Sequence, residues 1–238
     1  MKELRDILFL DIETVSSSET YEGLNERMKT LWSRKASFLK REEGLTDDAF
    51  YFQRAGIYAE FGKVVSIGIG LFHMEEDKLI LRLKALYDED EKALLEQFNA
   101  ILGKMRSDSL KLCAHNGREF DFPYLSRRML INSISLPSVL DLSGKKPWEI
   151  NHIDTMDMWK FGDWKHYTSL DLLAAIFNIE SSKTDMSGSD VNRVYYKDQN
   201  LEKIADYCLQ DVAVTAQLYL KLKNITAEPF EVTVTPAN

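Results

Sequence analysis

Residues 7–13 read ILFLDIE, and this short run decides the fold. In an extended chain successive side chains point to opposite faces, so Ile7, Phe9, Asp11 and Glu13 share one face while Leu8, Leu10 and Ile12 share the other. Both faces are apolar up to Asp11, as in a strand covered on both sides at the centre of an α/β sheet. Two carboxylates at the end of such a strand lie where open α/β sheets place their sites. A lone D-x-E is also an ordinary acidic strand end, so the pair needs partners from elsewhere in the chain.

Working outward, Lys63–Phe72 (KVVSIGIGLF) and Leu79–Tyr87 read as strands that pair across MEEDK, and Asp90–Leu102 has helical spacing. Leu110–Ala114 is a short apolar strand, Glu119–Leu130 a helix, and His152–Met158 is expected as a fifth strand. Ser169–Phe177 and Leu201–Leu222 are expected helices, and residues 229–238 a flexible tail. From residue 15 to 60 the chain turns polar, with helical spacing at Leu24, Met28 and Leu31 and again over Phe50–Tyr58, which predicts a helical insertion or lid. The pattern implies one α/β domain over residues 1–228, built on a mixed sheet, with no internal repeat.

At 238 residues, 45% of them apolar, the chain can bury a sizeable core. Its net charge of −8 argues against a protein that simply coats nucleic acid, because phosphate contacts need surplus Lys and Arg. An enzyme that must release its substrate is less constrained. Cys113 and Cys208 each sit in apolar surroundings and are expected as buried free thiols, consistent with a reducing interior. Nothing approaches the roughly 20 apolar residues of a membrane span, so the expectation is a soluble cytoplasmic protein.

Two further segments offer partners for Asp11 and Glu13. In AHNGREFDFPYL (residues 114–125) an apolar run gives way to Asn116, and a helix then carries Phe120 and Asp121. Alone, Asn116 and Gly117 make a turn and Asp121 a helix-start acid. In ADYCLQDVAVTAQLY (residues 205–219) Asp211 lies three or four positions from Tyr207, Cys208, Val214 and Thr215 on one helix, within a largely apolar stripe. A carboxylate there requires a cation or a metal, and Tyr207 projects from the same face. Four converging carboxylates repel one another unless divalent cations neutralise them, and hard oxygen ligands select two Mg²⁺ (or Mn²⁺) over zinc. That set fits two-metal phosphodiester hydrolysis, with Tyr207 orienting or deprotonating the attacking water.

The three segments together resemble the DEDDy 3′-to-5′ exonucleases of the ribonuclease H-like superfamily, in the proofreading-like group related to family B DNA polymerases. The family's D-x-E matches Asp11 and Glu13, its N-x₃-(F/Y)-D matches Asn116, Phe120 and Asp121, and its Y-x₃-D matches Tyr207 and Asp211. The sister group has H-x₄-D, and position 206 here is Asp, which favours the tyrosine type. The resemblance implies a five-stranded mixed sheet of order 3-2-1-4-5 with strand 2 antiparallel and flanking helices. It also implies a metal-dependent exonuclease acting on the 3′ end of single-stranded DNA or RNA, DNA favoured, with Asp11, Glu13, Asp121 and Asp211 as metal ligands. Thr14, Asn116 and Phe120 are then expected at the substrate, and Asp154 in support behind the ligands. Proofreading would require a separate polymerase or repair protein, and no membrane is involved. A noncatalytic binding or scaffold module on the same fold is the alternative, disfavoured by the presence of all four acids and the tyrosine. Trp32, Arg34, Lys35, Lys40 and Arg41 form either a strand-binding platform or a solvated helix face.

Overall fold

The computed structural model describes residues 2–42, 44–105, 109–163, 167–180, 186–226 and 230–235. Strand β1 (Ile7–Ser16) is followed by helices α1 (Glu26–Ala36) and α2 (Asp47–Arg54), then strands β2 (Gly62–Glu75) and β3 (Lys78–Tyr87) and helix α3 (Glu91–Lys104). Strand β4 (Lys111–Ala114), helix α4 (Asp121–Ile131), the two-residue strand β5 (Ile153–Asp154) and helix α5 (Thr155–Lys160) come next. Helices α6 (Leu170–Ile176), α7 (Val191–Tyr196) and α8 (Leu201–Leu222) precede strand β6 (Phe230–Thr235).

The sheet has the order β5-β4-β1-β2-β3-β6. Only β2 runs against its neighbours: it is antiparallel to β1 and β3, while β4 is parallel to β1, β5 to β4 and β6 to β3. The expected 3-2-1-4-5 core is therefore present, widened by β6. Strand β1 is central, as its double apolar pattern required. Leu8, Leu10 and Ile12 pack into a core shared with α3 and α4, and Ile7 and Phe9 into a second core beneath α8. These are the α/β, ribonuclease H-like features expected from the sequence, including helices between β1 and β2.

Two expectations are corrected. Residues 230–235, expected within a flexible tail, form β6: Phe230, Val232 and Val234 alternate with Glu231, Thr233 and Thr235, and the strand pairs with β3 from Leu79 to Lys84. The other tail residues, 229 and 236–238, lie outside the described residues. The expected strand His152–Met158 is a strand only at Ile153–Asp154, because the Asp154 side chain accepts from the amides of Met156 (2.9 Å) and Asp157 (3.4 Å) and starts α5.

The segment between β1 and β2 has its own core. Trp32 is fully buried among Phe50, Tyr51, Tyr58 and Phe61, with ring centroids 5.1–6.3 Å from it. It thus cannot serve as a stacking platform; Lys35 lies over the Tyr58 ring and Arg41 pairs with Asp47. Helix α8 packs on the opposite side of the molecule from α3 and α4. Gly68 of β2 permits its close approach: a Cβ there would stand 2.8 Å from Val212 Cγ2 and 3.0 Å from the Cys208 carbonyl oxygen. Among the described residues no helix is long and apolar enough to cross a membrane.

Candidate active site

The end of β1 places Asp11 opposite Gly68 and Glu13 opposite Ser66 in the ladder with β2, and a bulge follows between Glu13 and Thr14. Both acids face the side on which α8 lies. Helix α8 begins at the Asn200 cap, whose side chain accepts from the Lys203 amide, and its apolar stripe of Ala205, Cys208, Leu209 and Val212 seats it on the sheet. That seating turns Tyr207 and Asp211 toward the β1 acids and within electrostatic reach of each other. From the other side, α4 starts at Asp121, whose Oδ1 accepts from the Ile12 amide at 3.2 Å. Three distant segments thus bring Asp11, Glu13, Asp121 and Asp211 within electrostatic reach of one another.

Burial and crowding act in one direction on all four. Burial, then repulsion from Glu13, Asp121 and Asp211, holds the Asp11 carboxyl well above its usual range. Burial followed by Asp211 and Asp121 does the same to Glu13. Asp121 is pushed up to about 7 and Asp211 to about 6, chiefly by desolvation. Among the described residues, no Lys or Arg forms an ion pair with any of the four. The Tyr207 hydroxyl is raised as well, first by burial and then by Asp211, so it remains protonated and able to donate.

The remaining expected residues fall around this cluster. Asn116 has a left-handed backbone (φ 63°), and its Oδ1 is buried without a hydrogen-bond partner among the described residues. Asp154 braces the loop behind it, accepting from the amides of Asn116 (2.9 Å) and Arg118 (3.1 Å). Phe120 packs on Tyr124 and, with Glu13, Thr14, Phe52, Arg54 and Asn192, lines a cleft of about 320 Å³ next to the acids. The Thr14 hydroxyl is committed to the Gly56 carbonyl at 2.8 Å, so only its remaining surface is open to this cleft.

Sequence reading missed two features. Cys208 Sγ donates to the Asp11 carbonyl oxygen (3.3 Å), and its sulfur, with carboxylate oxygens of Asp11 and Glu13, forms a group of donors within 4.8 Å of one another. Its place three residues before Asp211 on a helix was the available signal. The cleft wall formed by Phe52, Arg54 and Asn192 had none, since those residues meet only through tertiary packing.

A family model described as "Predicted 3'-5' exonuclease related to the exonuclease domain of PolB" matches residues 57–232, about three quarters of the chain. The chain belongs to this family. The match takes in Asn116, Asp121, Tyr207 and Asp211, whereas Asp11 and Glu13 precede it. Among solved structures, this PolB-related exonuclease family member is similar to the family B DNA polymerase from the hyperthermophilic archaeon Pyrobaculum calidifontis, with a TM-score of 0.56 at 16% identity. The alignment covers 91% of this chain and 24% of that polymerase, so the chain spans about a quarter of the polymerase's length. At that identity the likeness establishes a shared fold. No curated protein sequence matches significantly.

Proposed function

We propose that this protein is a metal-dependent 3′-to-5′ exonuclease that hydrolyses the terminal phosphodiester bond of single-stranded nucleic acid, with DNA as the favoured substrate. The observation that carries this reading is the convergence of Asp11, Glu13, Asp121 and Asp211 without a cationic side chain among the described residues. Burying mutually repelling carboxylates costs several kcal/mol, and evolution tolerates the cost where cations are bound. The donor set is all hard oxygen apart from the Cys208 sulfur, which suits Mg²⁺ or Mn²⁺. A pair of such ions, when bound, supplies an activated water and charge stabilisation for an in-line displacement.

The chain's own residues do the rest. Tyr207, close to Asp211 and kept protonated, orients the water. The Phe120 ring meets the terminal nucleotide at the cleft, and the Asn116 loop behind the acids is held by Asp154. The relation of the family to PolB supports a DNA substrate and a polymerase or repair protein as the source of the 3′ end. The two free, buried thiols support a reducing cytoplasmic setting.

The test is digestion of 5′-labelled single-stranded DNA and RNA with Mg²⁺, Mn²⁺ or EDTA, comparing wild type with Asp211→Ala. A metal-dependent ladder shortening from the 3′ end, absent in the variant, is expected. No cleavage under any condition would leave a nucleic-acid-binding module instead.

A further inference from the structure

One wall of the cleft beside Glu13 comes from the segment between β1 and β2. Phe52, Arg54 and Ile57 line it from that side, together with Glu13, Thr14 and Phe120. Arg54 is the sole Lys or Arg among the described residues that line the cleft. It is exposed and forms no ion pair among the described residues. Nor does it serve the acids: Glu13 lines the same cleft, yet the charges that act on its carboxyl are those of Asp211 and Asp121.

The backbone that carries Arg54 is clamped on both sides. Two residues earlier, the Phe52 carbonyl accepts from Asn192 Nδ2 at 2.8 Å, and Asn192 Oδ1 in turn accepts from the Ser16 amide at 2.8 Å. Two residues later, the Gly56 carbonyl accepts from the Thr14 hydroxyl and from the Tyr124 hydroxyl, each at 2.8 Å. Ala55, next to Arg54, is fully buried. These bonds join the end of α2 to β1, α4 and α7, so the backbone at Arg54 has a fixed place beside the acid-bearing end of β1. Its guanidinium, exposed and unpaired, stays hydrated until an anion arrives, and a phosphate in the cleft offers it a planar two-point contact.

A strand whose scissile phosphate lies at the acids passes a neighbouring part into this cleft. We propose that Arg54 is the phosphate-binding residue of the cleft, its guanidinium donating to a strand phosphate adjacent to the scissile one, so that the segment between β1 and β2 forms part of the substrate site. This assignment rests on the exonuclease reading above. Two strand phosphates have the required chemistry: the internal phosphodiester on the 5′ side of the scissile bond, and a phosphate at the 3′ terminus. Neither changes its charge during the displacement, so the contact acts on substrate binding, and hence on KM rather than on kcat.

The experiment measures kcat and KM on 5′-labelled single-stranded DNA with Mg²⁺ for wild type, Arg54→Gln and Arg27→Gln. Arg27 is exposed on α1, outside the cleft, and controls for the loss of one charge. Arg54→Gln should raise KM roughly threefold to tenfold with kcat little changed, and Arg27→Gln should stay near wild type. A neutral methylphosphonate in place of the phosphodiester next to the scissile one should raise KM in wild type and add nothing in Arg54→Gln if the internal phosphate is the ligand. A 3′-terminal phosphate that lowers KM in wild type but not in Arg54→Gln assigns the contact to the strand end instead. Binding is read separately by fluorescence anisotropy in the Asp211→Ala background. There Arg54→Gln should reduce the slope of log affinity against log salt by about 0.7, the share of one phosphate on a single strand. Active wild type with KM and salt slope unchanged in Arg54→Gln, or with neither phosphate coupled to that residue, overturns the proposal while leaving the exonuclease reading intact. Inactive wild type removes both.

Discussion

Glu91 and Asp121 are both acids in the first turn of a helix, α3 and α4 respectively, and both are buried, at 7% and 2% exposure. Helix dipole and burial treat them alike. Their partners do not. Glu91 accepts from Arg128 Nε (2.8 Å), from the Val64 amide (2.8 Å) and from Asn132 Nδ2 (2.9 Å), and Arg128 in turn donates to the Ala59 carbonyl at 2.8 Å. That network ties α3, α4, β2 and the end of the inserted segment together. Asp121 accepts the Ile12 amide and otherwise confronts Asp154 and Asp211. A buried carboxylate with its cation in place is architecture, and one surrounded by other carboxylates is the basis of the metal proposal.

The most severe way to break the contrast is Asp121→Asn, which keeps the shape and the Ile12 bond. Removing one ligand should lower exonuclease kcat by about 10³-fold, the loss of several kcal/mol of charge stabilisation. Melting of the metal-free protein at pH 8 should not fall, since a repelling charge is removed. Near-normal turnover in that variant would disqualify Asp121 as a ligand.

Arg128→Met does the opposite. It strands Glu91 and should cost about 3 kcal/mol, a Tm drop on the order of 10 °C, while the folded fraction retains its turnover at low temperature. If thermal denaturation shows no loss, the Glu91 network does not hold these elements together.

Tyr207→Phe sharpens the division within the site. Turnover should fall by about 10²-fold with Mg²⁺ affinity, read by calorimetry, unchanged. Weakened Mg²⁺ binding would make Tyr207 a structural partner of Asp211 instead.

The mildest probe is pH. Carboxylates raised in the folded state bind more protons than in the unfolded chain, so they favour folding at low pH and lose that contribution as pH rises through their folded values. For Asp121 and Asp211 the window runs from their ordinary 3.8 up to about 7 and about 6. Metal-free protein should thus lose stability as pH rises from about 4 to 7, and saturating Mg²⁺ should flatten that slope. A metal-free melting profile that instead rises steadily across the window would contradict the crowding.

Local pattern carried far in this chain. The alternation in residues 7–13 placed β1 at the sheet's centre with Asp11 and Glu13 on one face, and the 22-residue α8 followed from its apolar stripe. Both signals are short-range periodicities, set by the geometry of strand and helix. What marked Asn116, Phe120, Asp121, Tyr207 and Asp211 together was the resemblance of their segments to one exonuclease group, not periodicity. Short elements were less legible. Asp154 ends β5 after two residues because its own side chain caps the next helix, and Val232 and Val234 form β6 only because the β3 edge accepts them.

By itself, then, the sequence determined the central strand, the long helix and the identity of the acids, because periodicity and residue chemistry act over a few positions. Only the tertiary structure decided which acids are compensated. Glu91 and Arg128 are 37 residues apart, and Asp121 and Ile12 are 109 apart. Whether a buried charge finds a cation or another anion depends on contacts across such distances, which no local pattern encodes.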